Sequence, residues 1–153
     1  MLEKATFGAG CFWGVQEEFD KLNGVIKTMV GYSGGHSENP TYKVVCSGNT
    51  GHAEVLQIEF DNEIISYEEL LKTFWNIHNP TTPNRQGPDA GSQYRSIILT
   101  QNKHQEEIAL REKKLLEESG KFNFKIVTEI VQIESFFEAE DYHQKYYKKN
   151  KTI

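Results

Sequence analysis

The hydrophobic positions along this chain change period several times, and each change marks an element. Leu2 to Ala9 reads as a first strand. From Phe12 to Leu22 the apolar positions Val15, Phe19 and Leu22 fall at helical spacing, and Gly24 supplies a stop. Val25 to Tyr32 predicts a strand that ends in the turn Ser33-Gly34-Gly35. His36 to Thr50 is polar and rich in glycine, with one helical turn expected around Tyr42 to Cys46. His52 to Phe60 predicts a strand in which Val55, Leu56, Ile58 and Phe60 mix alternation with a short apolar run. Ser66 and Glu69 have the spacing of a capping box, and Tyr67, Leu70, Leu71, Phe74 and Trp75 line one face of the helix behind them. A second polar loop, Asn79 to Gln93, contains three of the prolines, and long loops inside a compact domain are usually functional or disordered. Tyr94 to Thr100 predicts a strand, Asn102 to Ser119 a helix stopped by Gly120, Lys125 to Ile133 a strand and Glu140 to Lys149 a final helix. The order β-α-β-β-α-β-α-β-α implies an α+β sandwich, with helices packed on a mixed or antiparallel sheet.

Composition narrows the class. The 153 residues, 37% hydrophobic and 12% aromatic, suit one domain over residues 1–153 with a core of its own. A net charge of -5 gives no electrostatic pull toward nucleic acid or an anionic membrane. The lysines at 145, 148, 149 and 151 are read as the C-terminal end of a helix, where the dipole favours cations. No apolar stretch is long enough to span a bilayer, and no charged-then-apolar leader precedes the first strand, so a cytoplasmic location is expected. Two cysteines, Cys11 and Cys46, are too few for a disulfide scaffold or a four-ligand zinc site. No pair among Cys11, Cys46, His36, His52, His78 and His143 has a familiar ligand spacing, so no metal is implied. The absence of a phosphate-binding or dinucleotide glycine pattern likewise implies no nucleotide.

The chemistry centres on Gly8-Ala9-Gly10-Cys11-Phe12-Trp13-Gly14. A thiol at a strand-turn-helix junction meets free N–H groups and the positive end of a helix dipole, which favour thiolate. Phe12 and Trp13 put apolar surface beside it. A free cysteine is also commonly a small buried hydrophobe; that is the reading preferred for Cys46, which follows Val44 and Val45. Glu54 heads an apolar strand: facing inward it becomes an acid with a raised pKa, facing outward it is an ordinary surface carboxylate. His52 is either a base or a satisfied structural histidine. Tyr42, Tyr94 and Asp89 lie in or beside the polar loops. The phenols can donate to a developing oxyanion and the carboxylate can orient polar partners, unless all three are plain loop residues. Phe74 and Trp75 belong to a core stripe, and Glu140 to Gln144 is read as the start and cap of the last helix. Two rival classes are a cysteine hydrolase built on Cys11, His52 and Asp89, and a redox sensor or binding module whose Cys11 reacts with peroxide.

The ordered set of motifs resembles the A-type peptide methionine sulfoxide reductases. It runs Gly10-Cys11-Phe12-Trp13-Gly14, Gly31-Tyr32-Ser33-Gly34-Gly35, Asn39-Pro40-Thr41-Tyr42, Val45-Cys46-Ser47-Gly48 and Gly51-His52-Ala53-Glu54. It continues with Phe74-Trp75, Gln93-Tyr94-Arg95-Ser96 and Ala139-Glu140-Asp141-Tyr142-His143-Gln144, so that nearly the whole chain is covered. The resemblance implies a ferredoxin-like α+β core and reduction of the S epimer of methionine sulfoxide, free or in proteins. It assigns Cys11 as nucleophile, Glu54 as acid, Tyr42, Asp89 and Tyr94 as polar groups around the sulfoxide oxygen, and Phe12 and Trp13 as the wall that holds the substrate methyl. It leaves Cys46 outside the chemistry. Many relatives carry resolving cysteines in a glycine-rich tail, whereas this sequence ends Lys148-Lys149-Asn150-Lys151-Thr152-Ile153. The expectation is therefore a one-cysteine cycle, reset by thioredoxin, glutaredoxin or glutathione.

Overall fold

The computed structural model describes residues 1–150. Strand β1 (Leu2–Ala9) is followed by α1 (Phe12–Asp20), β2 (Val25–Ser33), the short α2 (Tyr42–Cys46) and β3 (Ala53–Asp61). Helix α3 (Tyr67–Asn76) leads to a small hairpin, β4 (Arg85–Gln86) with β5 (Asp89–Ala90), then to β6 (Ser96–Thr100) and α4 (Lys103–Glu118). The chain closes with β7 (Glu129–Gln132), β8 (Phe137–Glu138) and α5 (Tyr146–Lys149).

The main sheet has the order β7-β6-β1-β3-β2-β8. Its centre, β6-β1-β3-β2, is antiparallel throughout, and β7 joins the edge parallel to β6. The run β1-α1-β2-β3-α3-β6 is thus the split βαβ arrangement of a ferredoxin-like fold, as the α+β reading expects.

Strand parity decides which side chains meet the helices. Phe7 pairs with Leu56, Val30 with Leu56 and Tyr32 with Glu54, so these residues share one face. That face packs on Phe12, Val15 and Phe19 of α1 and on Leu70, Leu71 and Phe74 of α3. Phe7 sits at its middle, with ring centroids 5.6 Å from Phe19 and 5.1 Å from Phe74. Ser66 accepts from the Glu69 N–H and the Glu69 carboxylate returns the bond, so the capping box forms. On the opposite face Ala53, Val55, Ile97 and Leu99 form a smaller cluster under Ile133 and Phe136.

Two elements depart from the sequence pattern. The strand expected over Lys125 to Ile133 shrinks to β7, because the Val127 N–H donates to the Pro80 carbonyl at 2.8 Å instead of joining the sheet. The final helix expected from Glu140 is broken. Asp141–His143 form a single 3-10 turn, Gln144 is extended, and Lys145 has a left-handed φ of 56° before α5 begins. Gln144 leaves helical geometry because its side-chain amide pairs with both the N–H and the carbonyl of Val30, each at 2.9 Å. Lys148 and Lys149 do occupy the last turn of α5, but Lys145 instead pairs with Asp20 at 2.7 Å; Lys151 lies outside the described residues. β8, which periodicity does not reveal, pairs with Gly31 and Tyr32. A Cβ at Gly31 would collide with the Phe137 carbonyl and the Phe136 ring, so only glycine lets this segment close on β2.

Candidate active site

Cys11 is the N-cap of α1, directly after β1, and is partly exposed. Gly10 turns the chain there with φ 96°. The N–H groups of Trp13 and Gly14, at the start of α1, favour the Cys11 thiolate. These donors act as the sequence predicts, yet they do not win. Burial raises the thiol first, the negative fields of Glu54 and Asp89 add to it, and Cys11 is pushed up to about 11. The free protein therefore holds Cys11 as a thiol at neutral pH, contrary to the thiolate expected from the helix start alone.

Glu54 has the parity of Leu56 and Ile58, so it points into the helix-side layer and is only 1% exposed. Its Oε1 accepts from the Phe12 N–H at 3.3 Å, which ties the carboxyl to the first turn of the helix that carries Cys11. Its Oε2 is buried without a partner among the described residues. Burial is the main reason its pKa rises to about 7; the Phe12 N–H opposes this and Asp89 adds to it. Near neutral pH Glu54 is thus poised to give or take a proton.

Tyr42 and Tyr94 reach the same region from the loops. Tyr42 opens α2, where Thr41 caps the helix by accepting from the Val44 N–H. The Tyr42 N–H is anchored to Glu140 Oε2 at 2.9 Å. Tyr94 ends a 3-10 turn that begins after Gly91, whose φ is 141°. The adjoining Arg95 guanidinium fastens this turn by donating to the carbonyls of Ser92 and Gly51, each at 2.9 Å. Burial holds both phenols protonated. Tyr94 is pushed up to about 12, with Glu54, Cys46, Asp89 and Cys11 adding to the rise, and Tyr42 goes higher still. Asp89 sits in the β4–β5 hairpin opposite Gln86 and feeds its charge into Cys11, Glu54 and Tyr94. The structure therefore brings Cys11, Glu54, Tyr42, Asp89 and Tyr94 to one place, with Phe12 and Trp13 beside the thiol.

Phe12 is buried against Tyr32, with ring centroids 5.8 Å apart, while Trp13 is half-buried and stacks on Tyr146 at 3.7 Å. Cys46 is exposed at the end of α2 and not a core residue: only Val45 of that turn faces inward. Its thiol feels burial, which raises its pKa, and the opposing influence of Tyr42 and Gln93, so it stands at the edge of the site. His52 is spent on structure. Its Nδ1 accepts from the Gly35 N–H at 3.0 Å, which leaves Nε2 to donate to the Ser37 carbonyl at 2.6 Å. With no free lone pair it cannot serve as the base of a cysteine hydrolase.

Periodicity alone did not find Glu140, His143 and Gln93. Glu140 also accepts from the Tyr32 hydroxyl at 2.8 Å, so one carboxylate joins β2 to α2. Burial pushes its pKa up, but the Tyr42 and Glu140 N–H groups and the Tyr32 hydroxyl together hold it below the usual value. The signal was the motif Ala139 to Gln144, whose polar residues exceed what a helix start needs. No cluster of three or more metal-ligating side chains occurs among the described residues.

A family model for peptide methionine sulfoxide reductase matches residues 3–153. The chain belongs to the peptide methionine sulfoxide reductase family. A peptide methionine sulfoxide reductase MsrA from Methanothermobacter thermautotrophicus is 57% identical over 148 residues, covering 97% of this chain and 88% of the relative. The MsrA of Sulfolobus acidocaldarius is 54% identical, with 99% and 85% covered. Among solved structures, reduced Mxr1 from Saccharomyces cerevisiae superposes with a TM-score of 0.89 at 37% identity, covering 97% of this chain and 86% of that one. Methionine sulfoxide reductase A of Corynebacterium diphtheriae gives 0.87 at 35%, covering 97% and 75%. This reductase is thus of the A type in both sequence and fold.

Proposed function

We propose that this reductase converts the S epimer of methionine sulfoxide, free or in proteins, to methionine, with Cys11 as the oxygen acceptor. The observation that carries the reading is Glu54: a buried carboxyl with one oxygen unpartnered and the other bonded to the turn that bears Cys11. Cys11 loses its proton from its partly exposed side and the thiolate attacks the sulfoxide sulfur. Negative charge gathers on the oxygen, where Glu54 delivers a proton and the Tyr42 and Tyr94 hydroxyls donate. In the resulting adduct the oxygen passes to the Cys11 sulfur as both the substrate sulfur–oxygen bond and the new sulfur–sulfur bond break, the electron pair staying on the methionine sulfur, which gives methionine and a sulfenic acid. Protonation of Glu54 also removes one of the charges that hold the thiol high, so acid and nucleophile become ready together. Phe12 and Trp13 take the methyl end of the substrate.

Two external thiol groups, from one dithiol protein or two monothiol molecules, then return the sulfenic acid to thiol, releasing water and a disulfide. Thioredoxin is the favoured class, with glutaredoxin or glutathione as substitutes, in a reducing cytoplasm. A structure of Mxr1 in complex with Trx2, 26% identical with a TM-score of 0.64, supports this choice. A cleft of about 260 Å3 lined by Ala9, Cys11, Gly14, Val15, Glu18 and Ile77 opens beside the sulfur. No prosthetic group enters the scheme. No described helix is long and apolar enough to cross a membrane.

Mass spectrometry of a methionine-sulfoxide peptide with protein and excess thiol tests the reading. One oxygen should be lost from one epimer only, and Cys11→Ser should abolish the loss. Turnover by Cys11→Ser, or sulfenate formation with peroxide but none with the sulfoxide, would overturn it.

A further inference from the structure

The segment that replaces the expected last helix closes over the aromatic wall of the site. Trp13 Nε1 donates to His143 Nδ1 at 2.9 Å. The imidazole also lies 5.1 Å from the Phe12 ring and 4.5 Å from the Tyr42 ring, so one side chain touches three residues around the thiol. His143 is fully buried. Its bond to the indole requires a lone pair on Nδ1, which fixes the neutral tautomer with the proton on Nε2. Nε2 has no partner among the described residues.

A buried, unpartnered N–H is unfavourable. An apolar ring would fill this space without that cost. What histidine adds here is the Nδ1 acceptor. The acceptor is also rigidly mounted: the His143 N–H donates to the Glu140 carbonyl at 2.9 Å, and the neighbouring Gln144 is bonded to both main-chain groups of Val30. Tyr146 stacks on a face of the indole with ring planes 7° apart. The Trp13 plane is therefore set by groups tied to β2, not by α1 alone.

We propose that His143 is a positioning residue, whose Nδ1 holds the Trp13 indole in the plane that receives the methyl group of the sulfoxide. This rests on Trp13 being that wall. The expected signature lies in substrate binding, since proton delivery belongs to Glu54. Single-turnover reduction of a methionine-sulfoxide peptide without added thiol separates the two quantities. His143→Leu should raise the half-saturating peptide concentration by about tenfold, the scale of one lost hydrogen bond, with the saturating rate within about twofold. His143→Asn, which returns an acceptor near the Nδ1 position, should recover most of that loss. Trp13→Phe removes the donor and should make His143→Leu nearly silent when the two are combined.

Additive losses in the double variant, or a loss confined to the saturating rate, would overturn the proposal. Trp13→Ala without effect on half-saturation would instead sink the pocket-wall reading beneath it. The bond has its own readout in the wild-type protein: the Trp13 indole N–H resonance should be more downfield than that of Trp75, whose Nε1 is buried without a partner. If His143→Leu fails to fold, His143→Phe, which keeps a ring in the same space and lacks the acceptor, decides: a raised half-saturation at an unchanged saturating rate supports the proposal, and an unchanged half-saturation overturns it.

Discussion

Replacing Glu54 with glutamine keeps the shape of the side chain and an acceptor for the Phe12 N–H, but removes the titratable proton. In the folded protein the carboxyl is raised from 4.5 to about 7, chiefly by burial. For an acid whose folded pKa is raised, the favourable contribution is fully present below the unfolded value and is lost as pH climbs through the folded one. At about 1.4 kcal/mol per tenfold change in the proton equilibrium, the wild type should lose about 3 kcal/mol from this group between pH 4.5 and pH 8. Glu54→Gln has no such loss. A constant offset is expected from the new amide N–H beside the unpartnered position, so the absolute stability of the variant is less informative than its pH dependence. Urea titrations of both proteins at pH 5, 6, 7 and 8 give the comparison. The variant should gain on the wild type by about 2.5 kcal/mol across the series, most steeply around pH 5.5 to 6, midway between the unfolded and folded values. In parallel its oxygen transfer should fall by about 10²- to 10⁴-fold, the usual worth of a positioned acid. Equal slopes for the two proteins would show that Glu54 is already ionised without penalty, and the account of the acid would fail with it.

Three further outcomes follow from the geometry. Tyr94→Phe should lower the saturating rate by about 10²-fold if its hydroxyl donates to the developing oxyanion, with little change in folding stability; rapid-quench single turnover measures this. Alkylation by iodoacetamide at pH 7 should label exposed Cys46 before Cys11, because burial holds the Cys11 thiol near 11. Peptide mapping that finds Cys11 modified first would contradict that order. Phe7→Ala should destabilise the fold by about 3 to 5 kcal/mol in urea, since the ring is fully buried between Phe19 and Phe74.

Much of this molecule is legible in the order of its residues. The helices α1 and α3 match their apolar spacing because each buries one face, and the strands β1, β3 and β6 show as short apolar runs because the sheet is covered on both faces. Caps at Ser66 and Asn102 act within three residues and can be seen locally. The C-terminal third is less legible. From Lys125 to Lys149 the chain bonds to partners far away in sequence: the Val127 N–H to Pro80, the Gln144 side chain to Val30 and the Glu140 side chain to Tyr42. A polar run that suits a helix start is drawn out of helical geometry by these distant groups, and no local rule contains them.

The sequence by itself determined that a thiol stands at a strand-turn-helix junction beside two aromatics, and its motifs carried the family and the α+β core. It could not decide which way Glu54 faces or what state Cys11 holds. Register settles the first: pairing Tyr32 with Glu54 and Val30 with Leu56 puts the carboxyl on the helix-covered face. Packing settles the second. The N–H groups at the start of α1 are fixed by chain order and favour thiolate, but the loss of water around the sulfur and the nearby Glu54 and Asp89 charges arise only when distant segments close over it. Desolvation and charge act through space, so a nucleophile can be located from its neighbours in the chain, while its protonation is decided by its neighbours in the fold.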